Sequence, residues 1–272
     1  NRLDLARWLL DPRHPLTARV TVNRLWADVF GTGLVKTTEN FGVQGELPSH
    51  PELLDWLAVE FVESGWDVKA LLRLMVTSAT YRQSSDTTAE KTAIDPANRY
   101  LAHGPRYRMP SWMIRDQALA ASGLLVNKLG GPPVKPYQPE GLWAEFSFGK
   151  FNYEPDTGEA LYRRSLYTYW RRIVAPPMFF DASSRQTCSV KATRTNTPLQ
   201  ALATLNDPTY VEAARALAGQ LLIMPDASDR DRIDQAFRVC LARPAQAEEL
   251  DLLEKSLERM RQEFGADPEG AA

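Results

Sequence analysis

The stretch SHPELLDWLAVEFVESG, residues 49–65, has the clearest secondary-structure pattern in the chain. Ser49 and Glu52 have the spacing of a capping box, in which two side chains bond backbone N–H groups at a helix start. Gly65 follows the last apolar residue, as glycine often does at a helix end. The pattern predicts an amphipathic helix whose apolar face packs on other helices. That face comprises Leu53, Leu54, Leu57, Ala58 and Phe61.

Helical spacing recurs on both sides of this stretch. Asp67 can cap a second helix that carries leucine and valine at positions three and four apart up to about residue 79. Residues 1–10 and about 16–30 form two further predicted helices, and another runs from about 111 to 128, where Gly130 and Gly131 would stop it. Helices resume at Thr197. We therefore predict a mainly α, multi-helix domain.

Residues 132–196 differ in kind from the helical parts. Prolines and glycines interrupt any helical period, and aromatic side chains are frequent. The best strand candidate is RRSLYTYWRR, residues 163–172. The predicted organisation is an N-terminal helical part at 1–131, this irregular aromatic and arginine-rich segment with a little β structure at 132–196, C-terminal helices at 197–264 that pack on the N-terminal part, and a loose tail at 265–272.

Composition excludes several classes of protein. The net charge of −2 gives no general attraction to nucleic acid, and no apolar run reaches the roughly 18 residues of a membrane helix. Two cysteines, Cys188 and Cys240, make neither a disulfide framework nor a zinc site. Cys240 falls on a helical apolar stripe, so we expect a small core residue there. Because residue 1 is asparagine, we expect the chain to be part of a longer protein.

Arginine and amide side chains stand out among the apolar residues. Arg19 and Asn23 share a helix face, Arg115 begins another helix, and Gln200 lies beside leucines in a short helix that we expect to be internal. Such groups need partners, which are either structural ion pairs and hydrogen bonds or a bound anion or sugar. The candidate ligand-binding residues are Arg19, Asn23, Arg115, Arg163, Arg164, Trp170, Arg194 and Gln200. No catalytic residue, metal site or cofactor is predicted, and His14, His50 and His103 lack metal-ligand spacing and are expected to be structural.

The corner between the last helices is explained locally. In RTNTPLQALATLNDP, residues 194–208, Thr197–Pro198 and Asp207–Pro208 each have the form of an N-cap followed by proline at the first helical position. Asn206 and Asp207 are then expected to bond nearby backbone.

An ordered series of blocks resembles one known family. The blocks include HPLTARVTVNRLWADVFGTGLV, LMVTSATYRQSS, DPANRYL, PPMFFDASSRQTC and RTNTPLQALATLNDP. They are similar to the planctomycete family known as domain of unknown function 1553. The resemblance implies the C-terminal part of a large exported, multidomain protein that often carries a cytochrome-c-like haem module. It supplies no catalytic residue, and Trp112 stands where the family often has an acid.

Three functions are compatible with these observations. The first is a non-catalytic binding or scaffolding module that engages an anionic glycan or a neighbouring domain of the same parent chain. The second is a polysaccharide hydrolase that uses paired carboxylates. The sequence contains no signature motif of another enzyme class. The third is a docking partner of a cytochrome-c-like module. The candidate carboxylates of the second are Glu140, Glu145, Glu154, Asp156 and Asp181.

Overall fold

A computed structural model of the chain describes residues 1–171, 174–176, 178–183, 189–190 and 194–266. The described chain forms two compact units. The first comprises Asn1–Arg108 together with Ser189 and Val190. The second comprises the remaining described residues from Met109 onward. The boundaries predicted at residues 131 and 196 stay a prediction.

The first unit is built on three helices that pack against one another. Val22, Trp26 and Phe30 of α2 meet Leu54 and other buried side chains of α3 and α4 in a single apolar cluster. Burial of this apolar surface is the main stabilising contribution to the unit. Its helices are α1 (Arg2–Leu9), α2 (Thr17–Phe30), α3 (Pro51–Glu63), α4 (Val68–Thr77), α5 (Ala79–Arg82) and α6 (Ala89–Ile94).

The helix predicted from residues 49–65 is confirmed, and its predicted apolar face is buried apart from the partly buried Leu53. The predicted capping box is wrong. His50 is the N-cap, and no side chain caps the helix there. Ser49 instead donates its amide N–H to the Leu34 carbonyl at 2.9 Å. Asp67 does cap α4, as predicted, by accepting from the N–H groups of Lys69 and Ala70.

In the second unit α10 packs on α7, α9 and α11, and α11 also contacts α7 and α12. Its helices are α7 (Ser111–Ala121), α8 (Leu142–Phe146), α9 (Pro198–Asn206), α10 (Pro208–Leu222), α11 (Asp229–Leu241) and α12 (Ala247–Ala266). Two short 3-10 helices, Gly158–Tyr162 and Ser165–Tyr167, lie between α8 and α9.

Helix α7 ends earlier than predicted. It stops at Ala121, because Gly123 adopts a left-handed φ of 71° and Gln220 of α10 donates to the Ser122 carbonyl at 2.7 Å. The chain then makes an isolated bridge between Val126 and Arg163.

The strand predicted at 163–172 is also wrong, although the mainly α fold class is confirmed. Ser165–Tyr167 is a 3-10 turn, and β pairing within the described residues consists of three isolated bridges. Side chains of α7 satisfy the backbone here in place of a neighbouring strand. Asp116 accepts the Ser165 N–H at 2.8 Å, and Arg115 donates to the Leu161 and Arg163 carbonyls.

Helices α11 and α12 pack on each other and leave several apolar side chains of α12 exposed. Along α12, Leu250 and Leu257 are partly buried whereas Leu253, Met260 and Phe264 remain exposed. Cys240 is a partly buried free thiol, and burial raises its pKa. Cys188 and residues 267–272 of the predicted tail lie outside the described residues. No helix in the described ranges is long and apolar enough to cross a membrane.

Candidate functional site

The predicted ligand-binding residues of the first unit make internal contacts. Arg19 donates to the Asp55 carboxylate at 2.6 Å, which links α2 to α3 and lowers the pKa of Asp55. Asn23 is fully buried. Its amide donates to the Val35 carbonyl at 3.0 Å and accepts the Val35 N–H at 2.8 Å, so it takes the place of a backbone partner.

Arg115 and Arg163 are buried in the second unit and bond backbone carbonyls. Arg115 has no exposed surface, and it donates to the Leu161 carbonyl at 2.7 Å and to the Arg163 carbonyl at 3.0 Å. Burial lowers the pKa of Arg115, and the nearby Asp116 partly opposes that effect. Arg163 donates to three carbonyls and lies 3.9 Å from the centre of the Tyr167 ring.

The other four candidates of the second unit are placed separately. Gln200 is buried and donates to the Thr195 hydroxyl at 2.7 Å. Arg164 is half exposed, 4.0 Å from Asp116. Trp170 lies beside Phe179, with ring centres 5.8 Å apart, and Arg194 is partly buried. The structure thus gathers Arg115, Arg163 and Arg164 near the Ser165 turn, and it assigns Arg19 and Asn23 to the other unit. A ligand-binding role for the eight stays a prediction.

The second unit contains a groove of about 1000 Å³, which we call the acidic groove. It lies between the aromatic segment after residue 136 and helix α9. None of the eight candidates is among its described lining residues. The lining comprises residues 137–141, 143–144, 152–155, 178, 199, 202–203 and 206–208.

One wall of the acidic groove is a stack of rings. Trp143 stacks with Tyr153 and with Tyr169, whose ring centres are 5.2 and 5.7 Å away, and its indole N–H donates to Gln138 Oε1 at 2.7 Å. The Tyr153 hydroxyl donates to the Pro136 carbonyl at 2.7 Å, and burial raises the pKa of Tyr153. Offset stacking of this kind fixes the orientation of the rings.

A second contact joins the groove wall to helix α10. The hydroxyls of Tyr137 and Tyr162 donate to the two oxygens of Glu212 at 2.8 and 3.0 Å. Burial and the neighbouring carboxylate raise the pKa of Tyr137 to about 12. Both hydrogen bonds are charge-assisted and therefore stronger than those between neutral groups.

The charge of the groove lining is one-sided. Glu140, Glu154 and Asp207 line it, whereas the described lining residues include no lysine, arginine or histidine. Burial raises the pKa of Asp207, although the carboxylate accepts the Thr209 N–H at 2.9 Å as the N-cap of α10. The site is therefore suited to a cationic group.

Helix α9 presents its leucines to this groove, contrary to expectation. Gln200 is 5% exposed, whereas Leu199 and Leu202, which line the groove, are 75% and 57% exposed. The expectation that this helix is internal thus holds for Gln200 and is wrong for Leu199 and Leu202. Asn206 and Asp207 bond local backbone as predicted, with Asn206 donating to the Leu202 carbonyl at 2.8 Å, yet both also line the groove.

The sequence patterns pointed to many residues of the acidic groove but did not predict that these residues lie together. Glu140 and Glu154 were among the candidate hydrolase acids, and Tyr137, Trp143 and Tyr153 belong to the aromatic segment. Leu199 and Leu202 were missed as surface residues. The sequence signal that could have revealed them is the capping-box spacing of Thr197 and Gln200. This pairing turns Gln200 toward the protein and leaves Leu199 and Leu202 facing outward.

Comparison with known proteins gives the family alone. No curated protein and no solved structure matches the chain. One family model matches residues 1–257, and its description is PSD1, protein of unknown function (DUF1553). Since the match covers almost the whole chain and agrees with the blocks quoted above, the chain belongs to the DUF1553 family.

Proposed function

We propose that this protein is a non-catalytic binding module whose acidic groove receives a basic, partly apolar segment of a partner protein or of a neighbouring domain. The observation that carries the proposal is the groove lining, which has three carboxylates and no cationic side chain among its described residues. Lysine or arginine of the segment would face Glu140, Glu154 and Asp207, and its apolar side chains would cover Leu199 and Leu202.

The two buried arginines of the second unit support this choice over an anionic glycan in the groove. Sulfate recognition needs guanidinium groups that are free to form paired hydrogen bonds. Arg115 and Arg163 are buried and bonded to backbone carbonyls. We therefore assign them to positioning the aromatic segment. We also propose that the protein is exported. The bound segment would then come from a cytochrome-c-like module or from another neighbouring domain.

A second candidate function uses the same groove. Glu140, Glu154 and Asp207 could act as the paired carboxylates of a polysaccharide hydrolase, and the raised pKa of Asp207 suits a proton donor. However, Asp207 also caps α10. The binding role needs only the charge and the exposed leucines, so we favour it.

Calorimetric titration of the full chain tests the proposal. We expect a peptide of alternating lysine and leucine to bind, with affinity that falls as salt is added, and an acidic peptide of equal length not to bind. Leu202→Lys should weaken binding by about tenfold or more, because it places a like charge and removes an apolar contact. Leu205→Lys is the matched control, since Leu205 is exposed on the same helix and outside the lining.

Two outcomes would contradict the proposal. Binding of a sulfated polysaccharide together with no binding of the basic peptide would favour the glycan hypothesis. Release of shorter sugars from a neutral or acidic polysaccharide, lost in Glu140→Gln or Glu154→Gln, would favour the hydrolase.

A further inference from the structure

The first unit contains a separate polar cavity of about 310 Å³. It lies between the C-terminal end of α2 with the loop after it and the segment that follows α6. Its size is at the lower end of the range of small-molecule sites. The lining comprises Trp26, Phe30 to Leu34, Ser49, Thr87, Thr92, Asp95 to Arg99, Leu101, His103 and Pro105 to Tyr107. We call it the basic cavity.

The segment over the cavity is held by side chains that also line it. Arg99 donates to the carbonyls of Gly33 and Leu34 at 2.8 and 3.0 Å. Asp95 accepts the N–H groups of Arg99 and Tyr100, one on each oxygen, at 2.9 and 2.7 Å. The one acid of the lining is thus engaged by backbone within its own segment.

In the loop after α2, which forms the opposite wall of the cavity, Gly33 has no space for a side chain. A Cβ on Gly33 would lie 2.6 Å from the Val35 carbonyl oxygen and 2.7 Å from Asn23 Nδ2. Asn98 and Leu101 adopt left-handed φ values of 47° and 55°, a conformation that asparagine tolerates and leucine rarely adopts. The surrounding contacts therefore fix the shape of the cavity closely.

The charge of this lining is opposite to that of the acidic groove. Arg99 and Arg106 contribute two positive charges, against one negative charge on Asp95. The Arg106 guanidinium makes no hydrogen bond or ion pair with the part of the chain that the structure describes. His103 contacts the Gly104 carbonyl through Nδ1 at 2.7 Å, so Nδ1 carries the proton and Nε2 is the nitrogen left for a ligand.

The uncharged lining adds a second recognition element. Thr32, Ser49, Thr87 and Thr92 supply hydroxyl groups, and the exposed ring of Tyr107 supplies an aromatic surface. Hydroxyls can both donate and accept, and aromatic faces pack against the C–H groups of sugar rings. The ligand that matches both elements is a small polyhydroxyl molecule with one anionic group.

We propose that the basic cavity binds a single acidic sugar unit, with its carboxylate or sulfate at Arg106 and its hydroxyls at the threonine and serine side chains. This site is independent of the acidic groove in position and in the charge of its ligand. Its failure would leave the proposal for the groove untouched.

The test is calorimetric titration of the full chain with glucuronate, glucose 6-sulfate, glucose and inorganic sulfate. We expect at least one of the two acidic sugars to bind at least about tenfold more tightly than either glucose or sulfate, because a charge-assisted hydrogen bond and the hydroxyl contacts act together. Comparison of glucuronate with glucose 6-sulfate separates a carboxylate ligand from a sulfate ligand.

Two variants locate the ligand. Arg106→Gln should weaken acidic-sugar binding about tenfold or more and leave thermal unfolding unchanged, since Arg106 is exposed. Arg24→Gln is the matched control, an exposed arginine of α2 outside the lining. Equal binding of glucose and the acidic sugars, no binding of either acidic sugar, or equal effects of the two variants would overturn the proposal.

Discussion

Arg115 shows how a full charge can be kept inside this protein. Its guanidinium donates to the carbonyls of Leu161 and Arg163 and to the Ser165 hydroxyl, and Asp116 lies 3.6 Å away. The planar fork of arginine suits several acceptors at once, which a lysine ammonium cannot match. The carbonyls that accept these bonds belong to an irregular segment whose β pairing, among the described residues, is limited to isolated bridges. Arg115 therefore supplies this segment with the hydrogen-bond donors that a neighbouring strand would supply in a sheet.

Truncation of Arg115 should be strongly destabilising. Arg115→Ala removes the donors and leaves the buried carbonyls of Leu161 and Arg163 without this partner, at a cost of about 3–5 kcal/mol. Arg164→Ala, which removes a half-exposed arginine at 4.0 Å from the same carboxylate, should cost no more than about 1 kcal/mol. Urea unfolding of the two variants measures the difference. Similar losses would show that the charge, and not its burial, is what matters.

At the scale of single helices, side-chain caps and ion pairs stabilise the start of several helices. Glu249 in the first turn of α12 accepts from both terminal nitrogens of Arg243 and from the Gln246 N–H, at 2.7 to 2.8 Å. These hydrogen bonds lower its pKa to about 2 from an ordinary value of 4.5. Helices α11 and α12 are further joined by Arg230 with Asp251 and Glu254.

The lowered pKa predicts a pH dependence of stability. Since the folded protein holds Glu249 ionised to lower pH than the unfolded chain does, its contribution is complete above pH 4.5 and is lost as the pH falls toward 2. Glu249→Gln should therefore reduce the difference in urea midpoint between pH 6 and pH 3. Glu248→Gln is the control, because Glu248 makes no ion pair among the described residues. An unchanged difference in Glu249→Gln would contradict the assignment.

The existence of the helices could be predicted, but their ends and faces depended on distant contacts. The apolar spacing of α3 is a local signal, and it was sufficient. The end of α7 depends on Gln220 of α10, which is 98 residues from its partner Ser122. The 3-10 turn at Ser165 depends on Asp116, 49 residues away. Neither contact can be inferred from the spacing of residues within one segment.

At the scale of the whole molecule, each unit has its own buried residues and its own cavity. The basic cavity and the apolar cluster around Phe61 lie within residues 1–108, and the acidic groove lies in the second unit. The two linings have opposite charge. Sequence composition could not show this, because a net charge of −2 averages over both. Nor could it group the groove residues, which are far apart in the chain.

This division predicts that a fragment of residues 1–108 folds alone. Its core cluster is complete without the second unit, so we expect a helical circular dichroism spectrum and cooperative urea unfolding. Phe61→Ala in the same fragment should cost about 3–5 kcal/mol, because Phe61 is fully buried. A fragment that is unfolded in buffer would show that the first unit needs residues beyond Arg108.

The double contact of Tyr137 and Tyr162 with Glu212 has a consequence for binding kinetics. Two hydrogen bonds to one carboxylate hold the aromatic wall of the groove in one conformation. A segment that binds there loses conformational entropy of its own, but the groove does not lose any further entropy. Differences in affinity among guests should then arise mainly in how slowly they dissociate, while the association rate follows the long-range attraction of opposite charges.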